Sequence, residues 1–232
     1  MIKGLLFDKD GTLVTFSDYW VQSTLDFLEE ISQAAGGLTL DQKRMLMHQL
    51  GIDHDHVVEQ GPIASGSSKD IAAIISAGFQ LSLGEVNARL TDHFMRCLRN
   101  DPSSIQPIGD IAALFHQLRL RGFILGVATG DDYEPTLYTM RKIEALESLS
   151  FIGTSDQFAG KPAPAMAEAF CGEVGLRPEE VIYIGDTAVD MQFARHLAYG
   201  IAVLSGVGER SSLQQYTDRV IPSVHALLGC TL

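Results

Sequence analysis

Residues 5–14 read LLFDKDGTLV, an apolar run that ends in two aspartates, Asp8 and Asp10, and continues through Gly11 and Thr12. On a β-strand, residues two apart point to the same side, so both carboxylates can converge on one ligand where the strand ends. Two carboxylates this close repel each other unless a cation lies between them or one is protonated. The stretch therefore indicates a magnesium-assisted reaction in which one acid is the nucleophile and the other transfers a proton.

Four later apolar runs resemble the first and predict further strands, at 123–128, 151–153, 181–184 and 200–204. Most of them lack polar alternation, as expected for strands that are covered on both faces. Helical patterns are predicted between them, at 109–121, 133–147, 162–174 and 188–198. Pro162 and Pro164 suit the start of the third of these helices. The alternation predicts an α/β fold with a doubly wound, mostly parallel, Rossmann-like sheet and helices on both faces.

The segment between the first and second strands breaks this rhythm, because it contains no convincing strand. Helices are predicted in it at 17–34, 41–50, 68–77 and 84–99. Ser82 and Glu85 have the spacing of a capping box for the last of them. A crossover this long is expected to be a domain of its own. We predict a catalytic core formed by residues 1–14 and 105–232 and an inserted α-helical domain at 15–104.

Polar residues follow the other predicted strands, where ligands bind in doubly wound sheets. Thr129 and Gly130 follow the second strand and offer a hydroxyl and backbone N–H groups to an oxyanion. Lys161 lies near the third strand, and Asp186 and Asp190 follow the fourth. Two acids four residues apart across a strand-to-helix turn suit a magnesium ion. Together the four strand ends are strong evidence for a shared site.

The combination resembles the haloacid dehalogenase superfamily, in particular its phosphatase branch. The family's first motif, Asp-x-Asp-Gly-Thr, matches residues 8–12, and its second and third motifs match Thr129 and Lys161. The fourth, Gly-Asp-x-x-x-Asp, matches residues 185–190. The helical insert resembles the family's small cap domain, and within it residues 60–67 resemble a segment of phosphoglycolate-phosphatase-like members.

The resemblance implies a magnesium-dependent phosphatase that acts on a small phosphomonoester, with 2-phosphoglycolate as the best single guess. It implies that Asp8 attacks phosphorus and becomes an aspartyl phosphate, and that Asp10 first protonates the leaving oxygen and then deprotonates water. Thr129, with Gly130 beside it, and Lys161 would bind the phosphoryl oxygens, and Lys161 would also screen Asp8. Stabilisation of charge in this way is usually the largest catalytic contribution.

The resemblance also implies the magnesium ligands, namely Asp8, the backbone carbonyl of Asp10, and Asp186. Asp190 completes the predicted metal set by orienting metal-bound water or Asp186. Lys69, in the insert, follows a Gly-Ser-Ser loop, and we include it as a substrate-binding residue that could reach a substrate carboxylate.

Other residues near these motifs have simpler interpretations. Many relatives have Asn after the threonine of the second motif, whereas this chain has Gly130 and then Asp131 and Asp132, which we interpret as caps of the next helix. Trp20 is equally compatible with the site entrance and with the core of the insert. The Asp-His-Asp-His run at 53–56 is interpreted as a solvated turn or helix start rather than a metal cluster.

Composition narrows the classes of partner. The net charge of −12 over 232 residues argues against a nucleic-acid binder, which would need a basic face. No apolar run is long enough to span a bilayer, and the N-terminus lacks a signal-type pattern, so we expect a cytoplasmic protein without a membrane partner. The three scattered cysteines are interpreted as reduced thiols. The sequence predicts a small phosphorylated metabolite as partner and leaves the oligomeric state open.

The motifs bear on four other functions. A sugar phosphomutase would use the same motifs, so the sequence does not separate it from a phosphatase. A sensor that binds a phosphorylated ligand without chemistry is disfavoured because every catalytic position is filled. Dehalogenase and phosphonatase relatives are disfavoured because they lack an acid at the position of Asp10.

Overall fold

The computed structural model describes residues 1–16, 18–34, 37–53 and 56–232. The chain divides into two compact units, one formed by Met1–Phe16 with Ile105–Leu232 and the other by Ser17–Ser104. The sequence predicted the first boundary after residue 14, two residues earlier.

The first unit contains a six-stranded sheet, and the second a two-stranded one. In chain order the strands of the described residues are β1 (Gly4–Phe7), β2 (Ile52–Asp53), β3 (His56–Val57), β4 (Ile124–Ala128), β5 (Leu149–Gly153), β6 (Val181–Gly185), β7 (Tyr199–Val203) and β8 (Val220–Ile221). The larger sheet has the order β5-β4-β1-β6-β7-β8, and all its strand pairs are parallel. β1 thus lies between β4 and β6, where the strand order reverses and where ligands bind in such sheets.

The helices of the described residues follow the same numbering. They are α1 (Asp18–Ala34), α2 (Leu40–Gln49), α3 (Pro62–Ser65), α4 (Ser68–Phe79), α5 (Leu83–Asn100), α6 (Ile111–Leu120), α7 (Tyr133–Lys142), α8 (Ala165–Val174), α9 (Ala188–Phe193) and α10 (Arg210–Leu213). None of the described helices is long and apolar enough to cross a membrane.

Both faces of the large sheet are buried, because alternate residues of β1 enter different cores. Leu5 and Phe7 belong to a cluster that includes Phe115 of α6, and the rings of Phe7 and Phe115 lie 5.1 Å apart. Leu6 belongs to a second cluster, which includes Phe170 of α8. Period-2 alternation with apolar residues on both faces explains why the strands read as continuous hydrophobic runs. The predicted doubly wound α/β fold with a helical insert is therefore confirmed.

The unit 17–104 is helical, as predicted, but it also contains the short antiparallel pair β2–β3, which the sequence analysis missed. Two-residue strands carry no alternation to detect. The predicted capping box at Ser82 is also wrong. Ser82 is the N-cap of α5, but its side chain accepts no capping hydrogen bond.

All four helices predicted in the first unit are shorter than expected, and α7, α8 and α9 each show why. α7 ends at Lys142, and Glu144 then has a left-handed φ of 55°. α8 begins only at Ala165, so Pro164 is its N-cap and Pro162 lies outside it. α9 stops at Phe193 and continues as a 3₁₀ turn over Ala194–His196. The apolar pattern continues past the end of α9 because the 3₁₀ turn that follows it still packs against the sheet, with Ala194 and Leu197 in the core.

Candidate active site

The site forms at the carboxyl ends of three neighbouring strands. Asp8 follows β1, Thr129 follows β4 and Asp186 follows β6. The strand register aligns Phe7 with both Val127 and Ile184. Asp8, Thr129 and Asp186 therefore follow their strands at nearly the same level of the sheet. All three are buried.

Lys161 reaches this edge from the loop between β5 and α8. Its Nζ lies 2.7 Å from Asp8 Oδ1 and 2.6 Å from Asp190 Oδ1, and it donates to the Tyr183 hydroxyl at 3.0 Å. Burial lowers the pKa of Lys161, but the carboxylates of Asp190 and Asp8 outweigh burial, and the pKa is raised above its usual value. The side chain is therefore a fixed cation between two acids.

The Asp8 carboxyl is in the opposite electrostatic situation. Burial raises its pKa to about 7, Lys161 partly offsets that rise, and the nearby Asp190 and Asp10 add to it. The Asp8 carboxylate thus lies among other acids with one close cation from Lys161. An additional positive charge at this position would favour its ionised form.

Both oxygens of Asp190 are occupied by protein donors. Its Oδ1 accepts from Lys161 and, at 3.2 Å, from the Tyr183 hydroxyl. Its Oδ2 accepts from the backbone N–H groups of Asp186 and Thr187 at 3.2 and 3.0 Å, and from the Thr187 hydroxyl at 2.7 Å. The Thr187 and Asp190 pair is the capping box of α9. Asp190 therefore ties the lysine to the turn that carries Asp186.

Asp186 is held differently, since each of its oxygens accepts a hydrogen bond from a different loop. Oδ1 accepts from the Thr12 hydroxyl at 3.2 Å and Oδ2 from the Val207 N–H at 3.0 Å. Burial, followed by the charges of Asp190 and Asp8, raises the pKa of Asp186 well above its usual value. One carboxylate oxygen from each of Asp8, Asp186 and Asp190 lies within 4.8 Å of the other two. Each Asp186 oxygen retains a lone pair, so its carboxylate could also hold a metal ion.

A loop that contains Gly206 and Gly208 follows β7 and packs directly against Asp186. The sequence-based prediction did not include this loop. A Cβ atom on Gly206 would lie 1.9 Å from Asp186 Oδ2, and one on Gly208 would lie 1.9 Å from the Asp186 carbonyl oxygen. Ser205 donates to the Gly11 carbonyl at 2.8 Å, which ties the loop to the first motif. The two glycines directly after an apolar run were the signal that could have revealed this loop.

A separate cluster consists of Lys9, Asp10 and Asp131, with Thr129 hydrogen-bonded to Asp131. Lys9 is 1% exposed, and its Nζ lies 2.8 Å from Asp10 Oδ2 and 3.0 Å from Asp131 Oδ2. The interpretation of Asp131 as a helix cap is therefore wrong. Asp132 is the N-cap of α7, but without a side-chain capping bond. The Thr129 hydroxyl accepts from the Asp131 N–H at 3.2 Å, which leaves its own proton available to a ligand.

The other residues considered from the sequence lie in the unit 17–104. Lys69 is exposed in the first turn of α4. Trp20 packs edge-on against Phe94, with ring centroids 4.9 Å apart, inside the helical unit. The Asp-His-Asp-His run falls on side chains that lie outside the described residues.

Comparison with known proteins agrees with this architecture. The sequence profile of the haloacid dehalogenase-like hydrolase family matches residues 2–197, and the chain belongs to that family. The predicted resemblance is thereby confirmed, as is the prediction of an enzyme of the hydrolase class.

Curated relatives carry more than one activity in their names. A phosphonoacetaldehyde hydrolase of Bacillus cereus is 28% identical over 229 residues, covering 96% of this chain and 83% of that protein. A phosphoglycolate phosphatase of Yersinia pseudotuberculosis is 23% identical over 198 residues, covering 84% and 77%. Among solved structures, a HAD phosphatase from Thermococcus onnurineus superposes with a TM-score of 0.72 at 19% identity, covering 98% of this chain and 97% of that one.

Proposed function

We propose that this protein is a magnesium-dependent phosphatase that hydrolyses a small phosphomonoester through an aspartyl phosphate on Asp8. The observation that carries the proposal is the contact of Lys161 with both Asp8 and Asp190, with Asp186 in the same carboxylate cluster. A buried nucleophile, a fixed cation and further acids are what phosphoryl transfer needs, since its catalysis is mainly positioning and charge stabilisation.

The chemistry proceeds in two displacements. An Asp8 oxygen attacks phosphorus, a new P–O bond forms to the carboxylate, and the ester P–O bond breaks. Asp10 gives its proton to the leaving oxygen, which departs as an alcohol. In the second step water attacks the phosphorus of the aspartyl phosphate, its proton passes to Asp10, and inorganic phosphate leaves with Asp8 regenerated as a carboxylate.

The phosphoryl oxygens are bound by side chains that are already fixed before substrate arrives. The Lys161 ammonium offsets the repulsion between Asp8 and an anionic substrate. Thr129 supplies a hydroxyl proton, and we assign Gly130 a backbone N–H beside it. Lys69 stays a proposed contact for a substrate carboxylate.

The donor set fits magnesium, because the cluster consists of carboxylates whose pKa values are raised by burial and, in addition, by their mutual repulsion. We propose that Asp8, Asp186 and the Asp10 carbonyl hold the ion, which would neutralise charge on the transferred group. Asp190 then acts through Lys161 and the 186–187 backbone, since both of its oxygens already accept protein donors.

The test is phosphate release by the purified protein with magnesium, from p-nitrophenyl phosphate and from a panel of phosphorylated metabolites that includes 2-phosphoglycolate. We expect turnover of at least one ester and none by Asp8→Asn. Formation of an isomeric sugar phosphate without free phosphate would instead indicate a phosphomutase. Inactivity on the whole panel would favour a phospho-ligand sensor.

The similarity to a phosphonoacetaldehyde hydrolase favours one second candidate, hydrolysis of a carbon–phosphorus bond. That reaction has a carbon leaving group, which needs an electron sink such as an imine formed by a neutral lysine. Lys9 and Lys161 each contact two carboxylates that raise their pKa, so both are held as ammonium ions. Asp10, in contrast, suits an oxygen leaving group. Phosphate release from phosphonoacetaldehyde, with irreversible trapping by borohydride, would support the second candidate over the first.

A further inference from the structure

Lys9 occupies the variable position between the two motif aspartates, yet it is among the most buried side chains of the described chain. It is 1% exposed, and its ammonium contacts Asp10 Oδ2 at 2.8 Å and Asp131 Oδ2 at 3.0 Å. Burying a lysine is costly unless its charge is paired, and here two carboxylates pair with it. Burial lowers the pKa of Lys9, but Asp10 and Asp131 outweigh burial and raise it.

Asp131 is itself anchored on the far side of this contact. Its Oδ1 accepts from the Asp132 N–H at 2.8 Å, and its own N–H donates to Thr129 at 3.2 Å. Its carbonyl accepts from the Ser155 N–H at 3.1 Å, which ties it to the segment after β5. Burial raises the pKa of Asp131 to about 6, and Lys9 partly offsets that rise. Lys9, Asp10 and Asp131 thus form an ion triad. Asp131 is its anchored member, and Asp10 is the member with the proposed catalytic role.

The backbone holds Lys9 in the same place. Its carbonyl accepts from the N–H groups of Leu13 at 2.8 Å and Val14 at 3.1 Å, so the turn after β1 is wound around this residue. The Asp10 side chain is 21% exposed, which makes it the most exposed of the three side chains. A partly exposed carboxylate would sample several rotamers unless something fixed it.

We propose that Lys9 is a positioning residue, which Asp131 anchors and which holds the Asp10 carboxyl in the one orientation that serves the leaving oxygen. This inference rests on the proposed phosphatase function. It also explains why this chain has an acid at 131, because a buried lysine at position 9 requires a second carboxylate from the neighbouring strand end. Positions 9 and 131 thus form one unit.

The discriminating experiment compares leaving groups in the variant Lys9→Met/Asp131→Asn. This pair removes both charges and keeps the side-chain volumes similar, so no buried charge is left unpaired. An alkyl phosphomonoester needs a proton on its leaving oxygen, whereas p-nitrophenyl phosphate departs as a stable anion and needs little acid catalysis. We compare kcat/KM, which reports the first displacement alone, because the second step is common to both substrates and also uses Asp10. We expect kcat/KM for the fastest alkyl substrate of the wild type to fall by about 10²-fold or more, and kcat/KM for the aryl substrate to fall by less than about 3-fold.

Two further variants keep the result interpretable. Asp131→Asn alone retains the contact between Lys9 and Asp10 but weakens its anchor, and we expect an intermediate alkyl-to-aryl ratio. The matched control is Lys3→Met/Glu180→Gln, which removes another pair on the flank of β1, joined at 2.7 Å. It should leave the ratio unchanged.

The outcomes separate the two proposals. Turnover of neither substrate by the wild type would overturn the proposed function and, with it, this inference. Wild-type turnover combined with an unchanged alkyl-to-aryl ratio in the double variant would overturn the role of Lys9 alone. Equal losses on both substrates would show that Lys9 is only structural and would also overturn it.

Discussion

Replacing Gly206 with alanine tests whether the loop after β7 positions the proposed metal ligand Asp186. The φ angle of Gly206 is outside the left-handed region, so alanine meets no backbone strain there. The new methyl group, however, would lie 1.9 Å from Asp186 Oδ2, whereas Cβ contacts below 3.0 Å essentially do not occur. Either the carboxylate or the loop must therefore move by about 1 Å.

A displacement of that size has calculable consequences. A misplacement of about 1 Å costs about 10²-fold in rate, equivalent to about 2.7 kcal/mol of activation free energy. Disturbing the partners of a metal ligand costs about 10- to 100-fold in metal affinity. We expect Gly206→Ala to lower kcat by about 10²-fold and to raise the magnesium concentration for half-maximal activity by at least about 10-fold. Overpacking would lower the stability by about 1–3 kcal/mol.

The assay is phosphate release as a function of magnesium concentration, together with thermal unfolding of the same preparations. Gly229→Ala is the matched control, because a Cβ atom at Gly229 would meet no atom within 4 Å. It should behave as the wild type does. Wild-type kcat and an unchanged magnesium requirement in Gly206→Ala would refute the argument that this glycine leaves room for Asp186.

Three other predictions follow from the site and its surroundings. Asp8→Asn should abolish turnover while the thermal midpoint of unfolding changes by no more than a few degrees, since Lys161 keeps its contact with Asp190. Turnover and the thermal midpoint are measured on one preparation, and activity at the wild-type level would exclude Asp8 as nucleophile. Chelation by EDTA should stop turnover and lower the thermal midpoint relative to millimolar magnesium, because an ion bound only to the folded state stabilises it, and a midpoint independent of magnesium would contradict the proposed site. Hydrogen bonds from Lys3, and then from the Arg177 backbone and side chain, lower the pKa of Glu180 to about 2. The ionised Glu180 therefore stabilises the folded state above the unfolded pKa of about 4.3, and this contribution is lost as the pH falls toward 2. Glu180→Gln should thus be less stable than the wild type near pH 7, and the gap in unfolding free energy, measured with urea, should close between pH 4 and pH 2; a gap independent of pH would refute this.

The strands were predictable because burial on both faces leaves an apolar run at each of them. The same reasoning brought Asp8, Thr129 and Asp186 to one edge, since the carboxyl ends of parallel strands meet there. Helix ends were less predictable. The proline at 162 suggested a helix start three residues before α8 begins, because proline suits a turn as well as a first helical residue.

Long-range partners were harder to predict than elements. Asp131 had the pattern of a cap, and only the fold shows Lys9 beside it. Asp190 was expected in the metal set as the residue that orients Asp186 or metal-bound water, and its further contacts with Lys161 and Thr187 were not expected. Neither arrangement leaves a periodic trace in the sequence, because each depends on side-chain directions from separate loops. Gly206 did leave a signal, because two glycines follow the last apolar run, but only the fold shows that Asp186 lies beside it.

The central position of β1 bears on how the protein is made. Gly4 pairs with Ile124 on one side and with Val181 on the other, and both partners lie far downstream in the chain. During synthesis β1 is thus made long before either of its partners, and its apolar residues stay unpaired until β4 and β6 have followed. Pairing of such distant segments makes folding slow and prone to aggregation. The strand that carries the proposed nucleophile is therefore also one whose late pairing exposes the chain to aggregation.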